Sequence, residues 1–200
     1  MQSRHPAIAL ALAGAIAATF AATPAFAHSG AGMAGGFTSG FLHPLGGLDH
    51  IVAMVAVGLW GAILGRPAIY LLPITFPLVM AFGGALGIAG VPLPFVETGI
   101  ALSGVVLGLM VALLVRPPLW LAMALVGVFA IFHGYAHGAE LPAAANPAAY
   151  AVGFVLATGL LHLAGILIGT LIGLSFGKTL VRTGGALIAL TGAAFLAGLA

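Results

Sequence analysis

Long apolar stretches, separated by short turns rich in proline and glycine, make up most of the chain after residue 42. Each is close to the roughly 20 residues that a helix needs to cross the ~30 Å hydrocarbon core of a bilayer. The six stretches are residues 43–64, 68–90, 95–115, 119–140, 148–174 and 181–199. This pattern predicts an all-α integral membrane protein with about six transmembrane helices.

The first 27 residues have the pattern of a cleavable secretory signal peptide. Arg4 and His5 precede an apolar run over residues 7–20, and Ala25-Phe26-Ala27 has the form of a cleavage site. We expect cleavage before His28, with an uncleaved first helix as the alternative. Residues 28–42 are small and Gly-rich and are expected to form a flexible or partly ordered periplasmic segment, which leaves residues 43–200 as the transmembrane domain.

The few basic residues predict the orientation of the chain. Arg66, Arg116, Lys178 and Arg182 all lie in alternate turns between the apolar stretches, and the other turns carry no Lys or Arg. Because basic residues favour the cytoplasmic side, the mature N-terminus is expected outside. This agrees with the signal peptide and suggests a bacterial inner membrane with a periplasmic N-terminus. Trp60 and Trp120 are then expected to anchor the inner surface.

The composition narrows the possible functions. Apolar residues make up 62% of the chain and charged residues 4%, with a mean hydropathy of +1.28, whereas soluble domains carry about 25% charged residues. The lipid bilayer is therefore a partner, and five Lys and Arg residues suggest no nucleic-acid surface. The absence of cysteine excludes thiolate metal sites.

Small residues recur at four-residue spacing in several stretches. Such stripes let helices pack closely in lipid, and we interpret them as packing positions without a role in transport. The glycines concerned are Gly61 and Gly65, Gly104 and Gly108, and Gly165, Gly169 and Gly173.

The first stretch opens with the motif His43-Pro-Leu-Gly-Gly-Leu-Asp49-His50. In a continuous helix His43 and His50 would lie two turns apart on nearly one face. The Pro and paired Gly can instead unwind the helix start. Asp49 is expected to face either a neighbouring helix or an imidazole. Ionisable residues at membrane depth are costly and suggest function.

The fourth stretch ends with a second motif, in which His133, His137 and Glu140 are spaced i, i+4 and i+7. All three project from one helix face, where two imidazoles can chelate a metal and the carboxylate can complete or orient the set. The predicted topology puts both motifs at the outer ends of their helices. We therefore expect one metal site containing His43, Asp49, His50, His133, His137 and Glu140.

Three further residues are possible accessories to this site. Glu97 lies near the outer start of the third stretch, where an acid also suits the helix dipole. His162 lies near the middle of the fifth, one turn after Thr158, either as a further station or as a histidine hydrogen-bonded between helices. His28 would be the mature N-terminal residue.

The two motifs resemble the paired signatures of the HupE/UreJ family of bacterial nickel permeases. The similarity includes His43-Pro-x-x-Gly47-x-Asp49-His50 and Phe132-His133-Gly134-x-Ala136-His137-Gly138-x-Glu140, together with the signal peptide and the six-helix layout. It implies Ni²⁺ uptake for hydrogenase or urease maturation, with the six motif residues functional, no enzyme activity and no permanently bound cofactor.

The residues alone do not single out nickel. Imidazole and carboxylate also suit Co²⁺, Zn²⁺ and Cu²⁺, so a cobalt or other divalent-metal permease is an alternative. An intramembrane zinc hydrolase would use the same ligands to activate water. A haem carrier with paired axial histidines is a third possibility, which the neighbouring carboxylates disfavour.

Overall fold

A computed structural model of the protein describes residues 36–140 and 146–199, and all regular structure in this part of the chain is helical. The elements are α1 (Gly36–Gly46), α2 (Leu48–Leu64), α3 (Ala68–Ile88), α4 (Val96–Ala112), α5 (Leu119–Ala139), α6 (Pro147–Thr170), a 3₁₀ turn (Leu171–Gly173) and α7 (Gly177–Leu196). The predicted signal peptide and His28 lie outside the described residues.

The long helices α2 to α7 correspond to the six predicted stretches, although α6 begins at Pro147 and α7 at Gly177, one and four residues before the predicted starts. Of these, α3, α5, α6 and α7 are long and apolar enough to cross a membrane, and α1 with α2 forms a bent fifth candidate. Helix α4 has 17 residues, about 26 Å at 1.5 Å per residue, which is shorter than the ~30 Å hydrocarbon core. The chain is therefore an all-α, multi-pass membrane protein, and the number of six crossings stays a prediction.

The first apolar stretch is broken at Gly47, where α1 and α2 meet with a bend of 84°. Gly47 is extended (φ −112°, ψ 121°), so the stretch over residues 43–64 is not one continuous helix. A Cβ atom at Gly47 would lie 2.6 Å from Asp49 Oδ1, which explains why glycine occupies the break. Helix α1 begins at Gly36, so part of the segment expected to be flexible or partly ordered is helical.

The helices pack in pairs through glycine backbones. Helices α2 and α6 run parallel, with Gly165 against Val55 and Gly169 against Ala62, and α4 and α7 run antiparallel, with Gly108 against Ala189. In lipid, helix pairs are held by such close packing because apolar contact alone gives little drive to associate. The packing role predicted for these glycines and Gly104 is confirmed, and Gly61 approaches the Ala68 carbonyl.

Two glycines of the predicted stripes do not pack in this way. A Cβ atom at Gly65 or Gly173 would have no neighbour within 4 Å. Gly65 instead ends α2 with φ at +78°, a conformation that glycine adopts without the steric cost of a side chain.

A second parallel pair, α3 and α5, positions the second histidine motif. A Cβ atom at Gly134 would overlap the carbonyl oxygen of Met80, and one at Gly138 would overlap that of Gly84. These glycines flank His137, so the backbone of α3 lies directly beside the helix face that presents the motif.

The basic residues lie at the end of the bundle opposite both motifs. Arg182 donates from Nε to the carbonyl of Ala112 at 2.8 Å, which joins the start of α7 to the end of α4.

Trp60 is fully buried and donates its indole N–H to the carbonyl of Val115 at 2.9 Å. The expectation that Trp60 anchors the membrane surface is therefore wrong, because the residue connects α2 to the chain after α4. Trp120 is 69% exposed, and its anchoring role stays a prediction.

The substitution Gly108→Ala should destabilise the bundle, because its methyl group would overlap the backbone nitrogen of Ala189. We expect a loss of about 1–3 kcal/mol in the free energy of unfolding, the usual cost of overpacking, measured in mixed detergent micelles. Gly159→Ala is the matched control, since a Cβ there meets nothing within 4 Å. Equal stability of the two variants would contradict the packing role of Gly108.

Candidate metal centre

At the start of α2, the carboxylate of Asp49 holds the imidazole of His50 in place. Asp49 Oδ1 accepts a hydrogen bond from the backbone N–H of His50 at 2.8 Å and lies 2.8 Å from His50 Nδ1. An ionised carboxylate can only accept, so the Nδ1 atom carries the hydrogen. The lone pair of His50 is then on Nε2, which is buried and has no hydrogen-bond partner among the described residues.

This pair also serves the helix end. The first N–H groups of a helix have no partner within it, and no side chain caps α2 from Gly47. The Asp49 carboxylate satisfies one of these groups and adds negative charge at the positive end of the helix dipole. Of the two directions expected for Asp49, the structure therefore has the one toward an imidazole.

His133 is oriented from α4. Ser103 Oγ donates to the carbonyl of Ile100 at 2.6 Å and lies 2.9 Å from His133 Nε2. Because the single hydroxyl hydrogen is used on Ile100, the serine accepts from Nε2–H, and the lone pair of His133 is on Nδ1. That atom is buried and has no hydrogen-bond partner in the described part of the chain.

Four imidazoles from α1, α2 and α5 form a continuous row. In order they are His43, His137, His50 and His133, with successive ring centroids 4.7, 4.4 and 4.8 Å apart. We call these four residues the histidine row. Both ring nitrogens of His137 are buried without a hydrogen-bond partner among the described residues. Buried polar atoms are normally hydrogen-bonded, so this set of nitrogens is suited to a ligand.

A small cavity opens beside the row at the end of the bundle. Its volume is about 30 Å³, room for roughly one or two water-sized particles. The ionisable residues that line it are His43, Asp49, His50, Glu97, His137 and Glu140. Glu97 and Glu140 are exposed, whereas the imidazole of His137 is buried. A cation would thus meet carboxylates first and imidazoles next.

The structure therefore brings both sequence motifs to one site. Five of the six predicted residues line the cavity, and the sixth, His133, contacts His50. Glu97 lines the same cavity, whereas His162 is deeper in the bundle with its ring 5.5 Å from Phe76. No three His, Asp or Glu side chains of the described residues are arranged to hold one metal ion together.

Some contacts of the site were not predicted from the sequence. Ser103 orients His133, and Tyr150 and Phe154 pack their rings against His43. Phe76 contacts both His133 and His162, with centroids 5.5 Å apart in each case. Ser103 is a polar residue in an apolar helix, and that signal is available in the sequence. The aromatic residues carry no such signal.

The comparisons with known proteins agree with the motifs. The model of the HupE / UreJ protein family matches residues 16–195. The chain is also 48% identical over 160 residues to Protein HupE of Rhizobium leguminosarum bv. viciae. These 160 residues are 80% of this chain and 84% of that relative. No solved structure matches the chain. The chain belongs to the HupE/UreJ family.

Proposed function

We propose that the protein takes up a divalent transition-metal cation, Ni²⁺ in the first place, across the bacterial inner membrane from the periplasm. The observation that carries this proposal is the histidine row, whose rings lie 4.4 to 4.8 Å apart beside a cavity with carboxylates at its mouth, and in which several buried ring nitrogens have no hydrogen-bond partner among the described residues. Neutral imidazole suits Ni²⁺, Co²⁺, Zn²⁺ and Cu²⁺. Membership of a family linked to nickel supply for hydrogenase or urease favours Ni²⁺, with Co²⁺ as the nearest alternative.

The ligands act in the order in which the cavity exposes them. Glu97 and Glu140 attract the hydrated cation at the mouth, where the negative end of the α5 dipole adds to the attraction. His43, His137 and His50 then replace water molecules of the ion in succession as it moves along the row, without all three binding it at once. Asp49 acts as a positioning residue, because a carboxylate that binds the second nitrogen of a metal-ligating histidine fixes its orientation and raises its basicity.

The membrane potential would draw such an ion inward, with or without an exchange of protons. An inside-negative potential contributes about 2.3 kcal/mol per elementary charge for each 100 mV, and a divalent ion gains about twice that. The alternation of basic turns supports a periplasmic site and a periplasmic N-terminus. The metal is the transported substrate, and we propose no resident cofactor.

The arrangement favours transport over hydrolysis. A catalytic zinc ion is held by three protein ligands and keeps an open position, and the described residues present no set of three for one ion. Conduction requires sites that bind strongly enough for entry and weakly enough for release. The HupE/UreJ family is also a transport and accessory family. On this proposal, the protein is functionally linked to the proteins that mature hydrogenase or urease.

Removal of an imidazole from the row should strongly reduce uptake. We expect His50→Ala and His137→Ala to lower Ni²⁺ accumulation in proteoliposomes at least about tenfold, in the range typical of lost metal-site contacts. The measurement is initial uptake with an inside-negative potential, repeated with Co²⁺, Zn²⁺ and Cu²⁺. Thr191→Val is the control, because its exposed hydroxyl bonds only the Leu187 carbonyl of its own helix. Unchanged uptake by both histidine variants would refute the proposal.

The substitution Asp49→Asn should weaken the site without removing a ring nitrogen. The amide keeps the shape of the carboxylate but loses the charge that orients His50 and raises its basicity. We expect the KM for Ni²⁺ uptake to rise about 10- to 100-fold, as for other carboxylates that support a ligating histidine. A KM equal to that of the unmodified protein would show that Asp49 does not act through His50.

A further inference from the structure

A second buried polar cluster lies deeper in the bundle, away from the outer cavity. His162 is 1% exposed and Thr158 is 0% exposed. Both are on α6, four residues apart, which places their side chains on one face as neighbours. The two ring nitrogens of His162 have no hydrogen-bond partner among the described residues. The same is true of the hydroxyl oxygen of Thr158.

No hydrogen bond among the described residues accounts for the burial of these groups. The sequence left open whether His162 is hydrogen-bonded between helices, and no such bond is present among the described residues. A buried polar group without a partner costs roughly 1–3 kcal/mol, and this chain carries three such atoms within one helical turn. An ionisable residue at membrane depth is expected to serve function.

His162 is linked to the inner end of the histidine row through one aromatic ring. His133 is one turn deeper than His137 on α5, and the Phe76 ring lies 5.5 Å from the rings of both His133 and His162. His162 follows Tyr150 by twelve residues, about 18 Å along α6. Eight residues, or about 12 Å, then remain to the end of α6 at Thr170.

Helix packing fixes His162 at this depth. A Cβ atom at Gly58 of α2 would overlap the carbonyl oxygen of His162, so the two backbones are in contact there. Gly58 is eight residues past His50 on the same helix, again about 12 Å deeper. His162 is therefore between the outer cavity and the basic end of the bundle.

We propose that His162 and Thr158 form an inner binding station for the transported divalent cation, distinct from the outer cavity. A neutral imidazole nitrogen and a hydroxyl oxygen supply two ligands, and water fills the remaining positions. A station with few protein ligands releases its ion readily, which suits transit. This inference rests on the proposed function, since it concerns the same cation.

The chain has no cysteine, so a single introduced thiol is a specific probe of this position. In His162→Cys, Ni²⁺ that reaches position 162 would displace the thiol proton to solvent and form a Ni²⁺–thiolate bond, with a charge-transfer absorption band in the near ultraviolet. Leu163→Cys is the matched control, because the neighbouring Leu163 is 47% exposed on the outside of the bundle.

We expect the band on addition of Ni²⁺ to purified His162→Cys and not in Leu163→Cys or the unmodified protein. Its absence from His162→Cys, in a sample that still binds Ni²⁺, would overturn the inner station. Bands of equal strength in both cysteine variants would also overturn it, because they would report non-specific thiol binding.

Transport kinetics give an independent test. We expect His162→Leu to lower the maximal rate of Ni²⁺ uptake about tenfold or more, with KM changed by less than about twofold, because entry at the outer cavity is retained. Thr158→Val should lower the rate in the same manner, whereas the chemically identical change Thr191→Val should not. If His162→Leu does not fold, the thiol band and the two threonine variants still test the inner station.

The pattern of results separates the two proposals. If the unmodified protein takes up Ni²⁺ and His50→Ala does not, but His162→Leu and Thr158→Val match the unmodified protein, only the inner station fails. If the unmodified protein takes up no divalent metal, the proposed function fails as well.

Discussion

Close contact between helix backbones at glycine is the constraint on which the site depends. A bilayer gives apolar helices little reason to associate, so their register is set where a missing side chain lets two backbones touch. These contacts are interleaved with the polar residues. Gly134 and Gly138 flank His137 against α3, and Gly58 meets the backbone of His162. The packing that holds the bundle together therefore also fixes the depth of each imidazole.

The break at Gly47 brings the two histidines of the first motif to the site from different directions, which close helix packing alone cannot do. It turns α1 through 84°, so that His43 approaches His137 from the side of α6 while His50 approaches from α2. It also leaves the start of α2 without a side-chain cap, which the Asp49 carboxylate partly replaces. One carboxylate thus satisfies the helix end and orients an imidazole, and its negative charge is balanced locally by the helix dipole.

The chemistry follows from which nitrogen atoms are in use. Asp49 and Ser103 each bind one nitrogen of a histidine, and the other nitrogen of each ring is buried without a hydrogen-bond partner in the described part of the chain. Mutation of residues that hold a ligating histidine in this way typically costs about 10- to 100-fold in metal affinity or activity. The open arrangement of the row, without a closed set of three ligands in the described part, agrees with the proposed passage of an ion through the site.

The sequence by itself determined the helical class, the approximate bounds of the long helices and the packing role of most glycines in the stripes. These features are local, because every backbone group in lipid must be satisfied within its own helix and helical spacing is constant. The i, i+4, i+7 motif on α5 follows from the same periodicity. The convergence of the two motifs at one end followed from the alternation of basic turns.

Only the tertiary structure decided the details that join distant segments. The direction of Asp49, the contribution of Ser103 from α4, the inclusion of Glu97 in the cavity and the burial of Trp60 all depend on which helices are neighbours. The break at Gly47 was one of two alternatives in the sequence, and the close approach of the Asp49 carboxylate accounts for it. Side-chain partners across a bundle depend on packing between helices, and no pattern within one helix encodes them.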